Sequence, residues 1–510
     1  MVLQALIFPR KDLEAKICDY RYGKRFAVQQ NTDSGLRLFA NFQLFQAFKY
    51  GIKYTMFTNA YNPGGGTALS NTEYVNMVGT GLVELEHYFS TDKWINPVTG
   101  LDELIPDHSS KGWTNLGATY FNVNAGDPKA ELFPNHGQEL YDISGGKYGY
   151  DVVNGVAGVS NLSELKGIKE RQTAWFDSLE LKPCSAFSYR NGRDISPEVY
   201  KKLYLFGRQS NTNGAYYYYG KSKIDGIALG NDLQQSRKDL VDRRITTRWV
   251  DSYISTNPGA QEKANQLLRD KTMQAYTNRG AYTDFSHHHS AKTNQALEDL
   301  CKTLGTYLDS SGLRNECWIA GFGELSEYYW FRELTKKAVA TVMHSKVYIT
   351  LLWEDLKTIQ NGLSDGILLE QLNTPLSIEI DLTGTPLADK SIKSTGGKLM
   401  RLGNNKYLVD FPFRNAVEGI KSVVLEVGEG NYYDNVSLSV SYYKNGNQVT
   451  IYTNKDTRAV VFTTSTDIYS IAPVLYSNDL NTSHTFNIDT ANINYVGVVD
   501  ELGKTRLIEI

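Results

Sequence analysis

The feature that most constrains this chain is a change of hydrophobic period near Thr374. Before it, strand-like and helix-like segments alternate. After it, only short alternating strands appear. A helix buries residues every three to four positions and a half-buried strand every second one. Both regimes in succession predict an α/β unit followed by an all-β unit.

In the first regime, Lys24–Gln30 reads as a strand, Leu38–Tyr50 as a helix and Ile52–Thr58 as a second strand. Leu162–Leu179 has helical spacing, with Asn161 and Ser163 as caps. Ser185–Ser188 reads as a strand, Asn294–Leu308 as a strongly amphipathic helix and Cys317–Gly321 as a short buried strand. This alternation predicts a mainly parallel sheet or a barrel. Asn59–Ser160 breaks the rhythm. It is rich in Gly, Asn, Pro and Tyr and reads as long loops or an inserted subdomain. Its Pro63-Gly64-Gly65-Gly66 lacks the Lys-Ser/Thr that would complete a phosphate loop. In the second regime the segments are LSIEIDL, KYLVDFPF, SVVLEV, NVSLSVSYY, QVTIYT, AVVFTT, YVGVVD and TRLIEI, with the hairpin signal Asn445-Gly446 between two of them. These predict a β-sandwich. The expected division is 1–372 for a β/α barrel, with a loop-rich insertion at about 59–160, and 373–510 for the sandwich.

Charge narrows the class of partner. With 53 basic against 56 acidic residues the net charge is -3, so a nucleic-acid surface is not expected. The 34 tyrosines suit both sugar recognition and protein interfaces. The four cysteines, Cys18, Cys184, Cys301 and Cys317, lack metal-ligand spacing and read as buried thiols. The opening MVLQALIFPRKDLEAK has too short an apolar stretch for an export signal, and no later run reaches membrane-spanning length, so membrane insertion is not expected.

Four segments carry a family resemblance. They are FAVQQNTDSG at Phe26–Gly35 with YGIKYTMF at Tyr50–Phe57; SELKGIKERQTAWF at Ser163–Phe176 with CSAFSYRNG at Cys184–Gly192; DFSHHHSAKTNQALEDLCKTL at Asp284–Leu304; and CWIAGFGELSEYYWFR at Cys317–Arg332. In this order they resemble the polysaccharide deacetylases, the NodB-homology family of carbohydrate esterases. The resemblance covers roughly 20–340 and implies α/β plus all-β architecture. The barrel would be an irregular (β/α) barrel of the polysaccharide deacetylase type, followed by the C-terminal β-sandwich.

The family hydrolyses N- or O-acetyl groups on sugars with a divalent metal held by one Asp and two His. A carboxylate acts as base and a late-strand histidine as acid. Carried onto this chain, Asp33 takes the base position and Ser34 replaces the metal aspartate; a one-residue shift makes Asp33 the ligand instead. His87 fits the first metal histidine, with Thr91 where the second belongs, and the rival placement is His136 with Glu139. One of His287, His288 and His289 takes the acid position; strand geometry puts His287 and His289 on one face and His288 on the other. Arg190 replaces the usual proline of the FSYPNG-like turn and substitutes for the arginine that tunes the catalytic aspartate, or is a solvated loop residue. Tyr189 and Asn191 flank it as substrate contacts, and Trp318, Glu324, Tyr328 and Arg332 close the barrel as structural residues.

The resulting expectation is a deacetylase-like component that binds glycan or builds an extracellular or virion assembly of tail or fibre type, with a degenerate metal site and other subunits as further partners. The alternative is an active metal-dependent polysaccharide deacetylase. The cofactor is one divalent metal, zinc first, or none where the site is degenerate.

Overall fold

The computed structural model describes residues 11–33, 37–58, 69–89, 93–95, 102–104, 172–182, 184–189, 204–211, 244–249, 260–286, 291–353, 372–412, 422–464, 471–489 and 491–510. Two short strands come first, β1 (Lys11–Leu13) and β2 (Ala15–Ile17). Then β3 (Phe26–Asp33), α1 (Arg37–Tyr50), β4 (Tyr54–Thr58), α2 (Asn71–Gly79) and β5 (Val83–Phe89) alternate. β6 (Lys93–Ile95) and β7 (Asp102–Leu104) pair antiparallel with each other. The alternation resumes with β8 (Ala186–Tyr189), β9 (Phe206–Asn211), β10 (Arg244–Trp249), α3 (Ala260–Asn278), β11 (Ala281–Ser286) and α4 (Ala291–Ser310). It ends with β12 (Cys317–Ile319) and α5 (Phe322–Leu334).

All pairings of β3, β4, β5, β8, β9, β10 and β11 are parallel and consecutive, and β11 pairs back with β3. The hydrogen-bonded order therefore returns to its start. β12 adds beside the first half of β3, at Phe26–Val28. Parallel strands joined by helices are covered on both faces, and all five residues of β4 are buried accordingly.

The two faces are distinct. Tyr54, Met56, Val83 and Leu85 join one apolar cluster with Leu44, Phe45 and Phe48 of α1 and Tyr74 and Met77 of α2. Thr55, Phe57, Glu84 and Glu86 alternate with them and take the opposite, ring-interior face. There Phe57 packs edge-on against Phe322 at the start of α5, with centroids 5.4 Å apart. On the α4 side of β3, Cys301, Leu304 and Leu308 are buried at helical spacing. The four cysteines are free and buried.

Part of the stretch read as loops is regular. Within 59–160, α2 and β5 form a helix and a strand of the ring. Ser70 and Glu73 make a reciprocal capping box that starts α2. β5 escapes a hydrophobic-run reading because two buried glutamates interrupt it. Of the helix expected at Leu162–Leu179, residues 172–178 are helical and the remainder lies outside the described residues.

Next come β13 (Thr335–Met343), β14 (Lys346–Trp353), β15 (Leu376–Asp381), β16 (Ile392–Ser394), β17 (Leu399–Gly403), β18 (Lys406–Phe411) and β19 (Ser422–Val427). They form two antiparallel sheets, ordered β1-β13-β14-β19-β16 and β17-β18-β15-β2. Val342, Ile349 and Leu425 of the first sheet share a core with Ile378, Val409 and Phe411 of the second and with Tyr328 of α5. The division drawn at 372 falls between strands of one sheet, since β14 pairs with β19 across it.

β20 (Val440–Asn445), β21 (Gln448–Thr464), β22 (Ala472–Asn487), β23 (Ile493–Asp500) and β24 (Thr505–Glu509) form a further antiparallel sheet. Asn445 and Gln448 pair across the two-residue turn Gly446-Asn447, with Gly446 at φ 59° in its first position, so the turn stands one residue later than the Asn445-Gly446 signal put it. The segments QVTIYT and AVVFTT, read separately, belong to the single strand β21. Its pairing with β22 is irregular between Tyr452 and Thr457, where the buried Lys455 forms an ion pair with Asp500 of β23. This sheet packs on α1. Phe462 lies 5.4 Å from Phe45 and 5.5 Å from Phe48, and a Cβ on Gly497 would stand 2.6 Å from the Phe48 ring. Only glycine permits that approach.

Candidate functional site

A ring of parallel strands directs its strand C-termini to one end, and functional side chains in such folds gather there. Asp33 is the last residue of β3, and its backbone is level with Phe57 of β4 and, one strand further, Glu86 of β5. His87 follows Glu86 and pairs with Phe187, while Tyr189 ends β8 opposite Phe89. Asp33, His87 and Tyr189 are thus brought to one end of the ring. One strand separates β3 from β5, so their backbones are about 10 Å apart. β11 ends at Ser286 opposite Thr32, and His287, His288 and His289 follow it in sequence. Those three histidines, with Ser34, Thr91, His136, Glu139, Arg190 and Asn191, lie outside the described residues.

His87 is 1% exposed. It shares the strand face of Val83 and Leu85, which is the face covered by helices. Its Nδ1 meets the hydroxyl of Tyr204, and the two rings lie 5.6 Å apart. Tyr204 belongs to the same outer apolar cluster, and burial pushes its phenol well above the ordinary tyrosine range. The imidazole therefore sits in the layer between sheet and helices. Among the described residues no group of three or more His, Cys, Asp and Glu is arranged to hold a metal ion. The donor that the resemblance supplies on β5 does not fit a metal in the ring interior.

The interior carries a charged cluster that the sequence reading passed over. Glu84 accepts hydrogen bonds from the backbone N–H of Gly323 at 2.7 Å, that of Glu324 at 2.9 Å, and the Thr55 hydroxyl at 3.0 Å. Thr55 Oγ1 in turn accepts from Phe322 N–H at 2.7 Å. The exposed amides of the α5 N-terminus are thereby satisfied from β4 and β5. Glu324 also closes back on Gly321 N–H at 3.2 Å and pairs with Lys53 at 2.7 Å. Glu86 accepts from Ala186 N–H at 2.9 Å and Ser185 Oγ at 3.1 Å. Lys182 reaches Glu327 at 2.5 Å and Glu84 at 3.9 Å. Glu327 accepts from Asn373 N–H at 3.2 Å and Thr374 N–H at 3.0 Å, tying α5 to the chain before β15.

Proton affinities follow from this packing. Burial, with Glu84 next, pushes Glu86 well above the ordinary carboxylate range. Burial also raises Glu84, with Lys182 opposing. Burial alone would lower Lys182, but Glu327, Glu84 and Glu86 outweigh it and raise the ammonium. For Glu324 burial is outweighed by Lys53 and Arg21, which bring it to about 2. The glycines of this junction are required. A Cβ on Gly323 would lie 1.8 Å from Glu86 Oε1 and 2.8 Å from Glu84 Oε1. The signal in the sequence is Glu84-x-Glu86 alternating with Val83 and Leu85, two acids on one face of a strand whose other face is apolar there. Beside them Gln29 of β3 is fully buried and donates to Asn31 Oδ1 at 2.8 Å.

Of the residues expected to close the barrel, Trp318, Tyr328 and Arg332 are buried and Glu324 is half-buried. Trp318 packs on Tyr328, whose hydroxyl donates to Cys18 O at 2.9 Å, and Arg332 donates to Asp19 O at 2.9 Å. No helix among the described residues is long and apolar enough to cross a membrane.

The chain matches no known family description and no curated protein. Among solved structures it is similar to a protein of Mycobacterium smegmatis described as a polysaccharide deacetylase. The identity is 10% over 64% of this chain and 97% of that one, with a TM-score of 0.34. It is also similar to a family 39 glycoside hydrolase from Bacteroides cellulosilyticus WH2, at 8% identity over 81% of this chain and 82% of that one, with a TM-score of 0.25. Likeness at this level assigns no residue and no activity.

Proposed function

We propose that this chain is a deacetylase-like, glycan-contacting component of an extracellular or virion assembly, in which the parallel ring is a β/α barrel serving as scaffold and the metal site is degenerate. The observation that carries the reading is the position of His87. The histidine that should face a metal is buried on the helix-covered side of β5 against Tyr204. The interior face at the level of Asp33 is instead occupied by Phe57 and by Glu86, whose oxygens accept from Ala186 N–H and Ser185 Oγ. Phe57 holds α5 through Phe322, and Glu86 holds β8 through Ala186 and Ser185. The tyrosine-rich composition supports sugar contact at the end of the ring where the strand C-termini lie. A test is acetate release from acetylated xylan and chitin oligosaccharides, run beside equilibrium binding to the same oligosaccharides. The reading expects binding without turnover; turnover abolished by Asp33→Ala would overturn it.

One observation favours the second reading, an active metal-dependent polysaccharide deacetylase. Ser286, which precedes the His287–His289 run in sequence, pairs with Thr32, which precedes Asp33. Asp33 as base with one of these histidines as acid matches the division of labour that the resemblance implies. The same acetate assay with His287→Ala and His288→Ala separates the two readings.

A further inference from the structure

Away from the ring, a cavity of about 360 Å³ is lined by Arg401, Tyr432, Tyr433, Asn435 and Val436. It lies where the end of β17 meets the segment that leads to β20. That segment is pinned: Leu399 N–H donates to Asn431 O at 2.9 Å and Tyr433 N–H to Leu399 O at 2.7 Å. The volume falls within the range of small-ligand sites, roughly 300–1,000 Å³.

The two rings are immobilised. Tyr432 donates its hydroxyl to Ile392 O at 2.7 Å. Tyr433 donates to Asp410 at 2.5 Å and stands edge-on to Tyr22 at 5.3 Å. Their hydroxyls are engaged, so they offer a ligand fixed aromatic surface, which loses little entropy on binding. Val436, 54% exposed, extends that surface as an apolar lip. The polar lining is different in kind. The Arg401 guanidinium is exposed, lies over the Tyr407 ring at 5.7 Å and reaches the Tyr407 hydroxyl at 3.5 Å. It has no carboxylate within 4.0 Å among the described residues. Lys504 holds Asn435 in place by its O at 3.0 Å and Oδ1 at 2.9 Å. The neighbouring acid, Asp434, is turned to Val436 N–H at 3.0 Å.

From this combination we infer that the cavity binds an acidic saccharide, a pyranose ring bearing a carboxylate. A sugar ring offers apolar C–H faces to Tyr432 and Val436. Its carboxylate suits the planar fork of a guanidinium that meets no carboxylate among the described residues, its partners there being the hydroxyls of Tyr407 and Tyr432, and its hydroxyls suit the Asn435 amide. A neutral sugar leaves Arg401 unused, and inorganic phosphate leaves the aromatic surface unused. The site stands apart from the ring and does not depend on whether the ring is catalytic.

The experiment is calorimetric or NMR titration of the full chain with a glucuronic-acid disaccharide, its neutral glucose counterpart and inorganic phosphate. The glucuronate disaccharide should bind saturably, and the neutral one at least tenfold more weakly. Arg401→Gln should weaken glucuronate binding at least tenfold. Val436→Asp, a change at an exposed position, should abolish it while thermal unfolding stays unchanged. Equal binding of the neutral disaccharide, equal competition by phosphate, retention of affinity in Arg401→Gln, or no saturable binding of glucuronate would each overturn the inference.

Discussion

Removing the carboxylate of Glu84 should release the N-terminus of α5 from the ring. Glu84→Ala leaves the amides of Gly323 and Glu324 without an acceptor, and Thr55 loses one of its partners. A buried donor left unpaired costs about 1–3 kcal/mol, so the two amides together cost about 2–6 kcal/mol. That is a large fraction of the roughly 5–15 kcal/mol by which a folded domain is stable. Glu84→Gln keeps one carbonyl oxygen in place and should cost about 1–3 kcal/mol, because it can still accept from one amide. Denaturant unfolding followed by tryptophan fluorescence measures both, since Trp318 and Trp330 are buried around α5. Hydrogen exchange at the first turn of α5 localises the effect. If the two variants were equally stable, or both lay within about 0.5 kcal/mol of the parent, Glu84 would not be the group that satisfies the helix N-terminus.

Three further predictions follow from the same packing. Glu86 has its folded proton affinity raised above the ordinary value of 4.5 by burial and Glu84, so the stability it contributes is fully present below that pH and is lost as pH rises through its folded value. Glu86→Gln should flatten this decline, read as midpoint of unfolding against pH, with Glu84 and Lys182 left to titrate; an unchanged slope would contradict the assignment. Phe462→Ala should cost about 3–5 kcal/mol by opening the contact with Phe45 and Phe48, and limited proteolysis should then separate the last sheet from the ring. Lys455→Met removes the ion-pair partner of the buried Asp500 and should cost about 3–5 kcal/mol, whereas the double change Lys455→Met with Asp500→Asn, which keeps an oxygen for the amides of Leu502 and Lys504, should recover much of that loss.

Where hydrophobic period and local chemistry agree, the fold was legible. α1, β4, α4 and the strands from LSIEIDL onward stand where their patterns put them, and the hairpin signalled by Asn445-Gly446 forms with its turn at Gly446-Asn447. β5 was not legible as a ring strand, because Glu84 and Glu86 look like surface residues until the N-terminus of α5 is placed against them. β1 and β2 are three residues each and find partners more than 300 positions away, at Val342 and Ile378; no local signal encodes such pairings. The hairpin of β13 and β14 has the alternation of a half-buried sheet, yet it follows α5 directly and so was counted with the barrel. Of the site residues, Asp33 is the last residue of β3 and Tyr189 the last of β8. His87 shows the limit of motif reading. One position along a strand exchanges the interior for the helix layer, and spacing alone cannot tell Glu86 from His87.

The central claim is that His87 serves packing and not metal binding. The direct measurement is elemental analysis of the purified protein after equilibration with zinc and removal of excess, on the parent chain and on His87→Ala and Asp33→Ala. The account predicts no stoichiometric zinc that depends on His87. One zinc per chain, lost in both variants, would contradict it and restore a metal-dependent deacetylase.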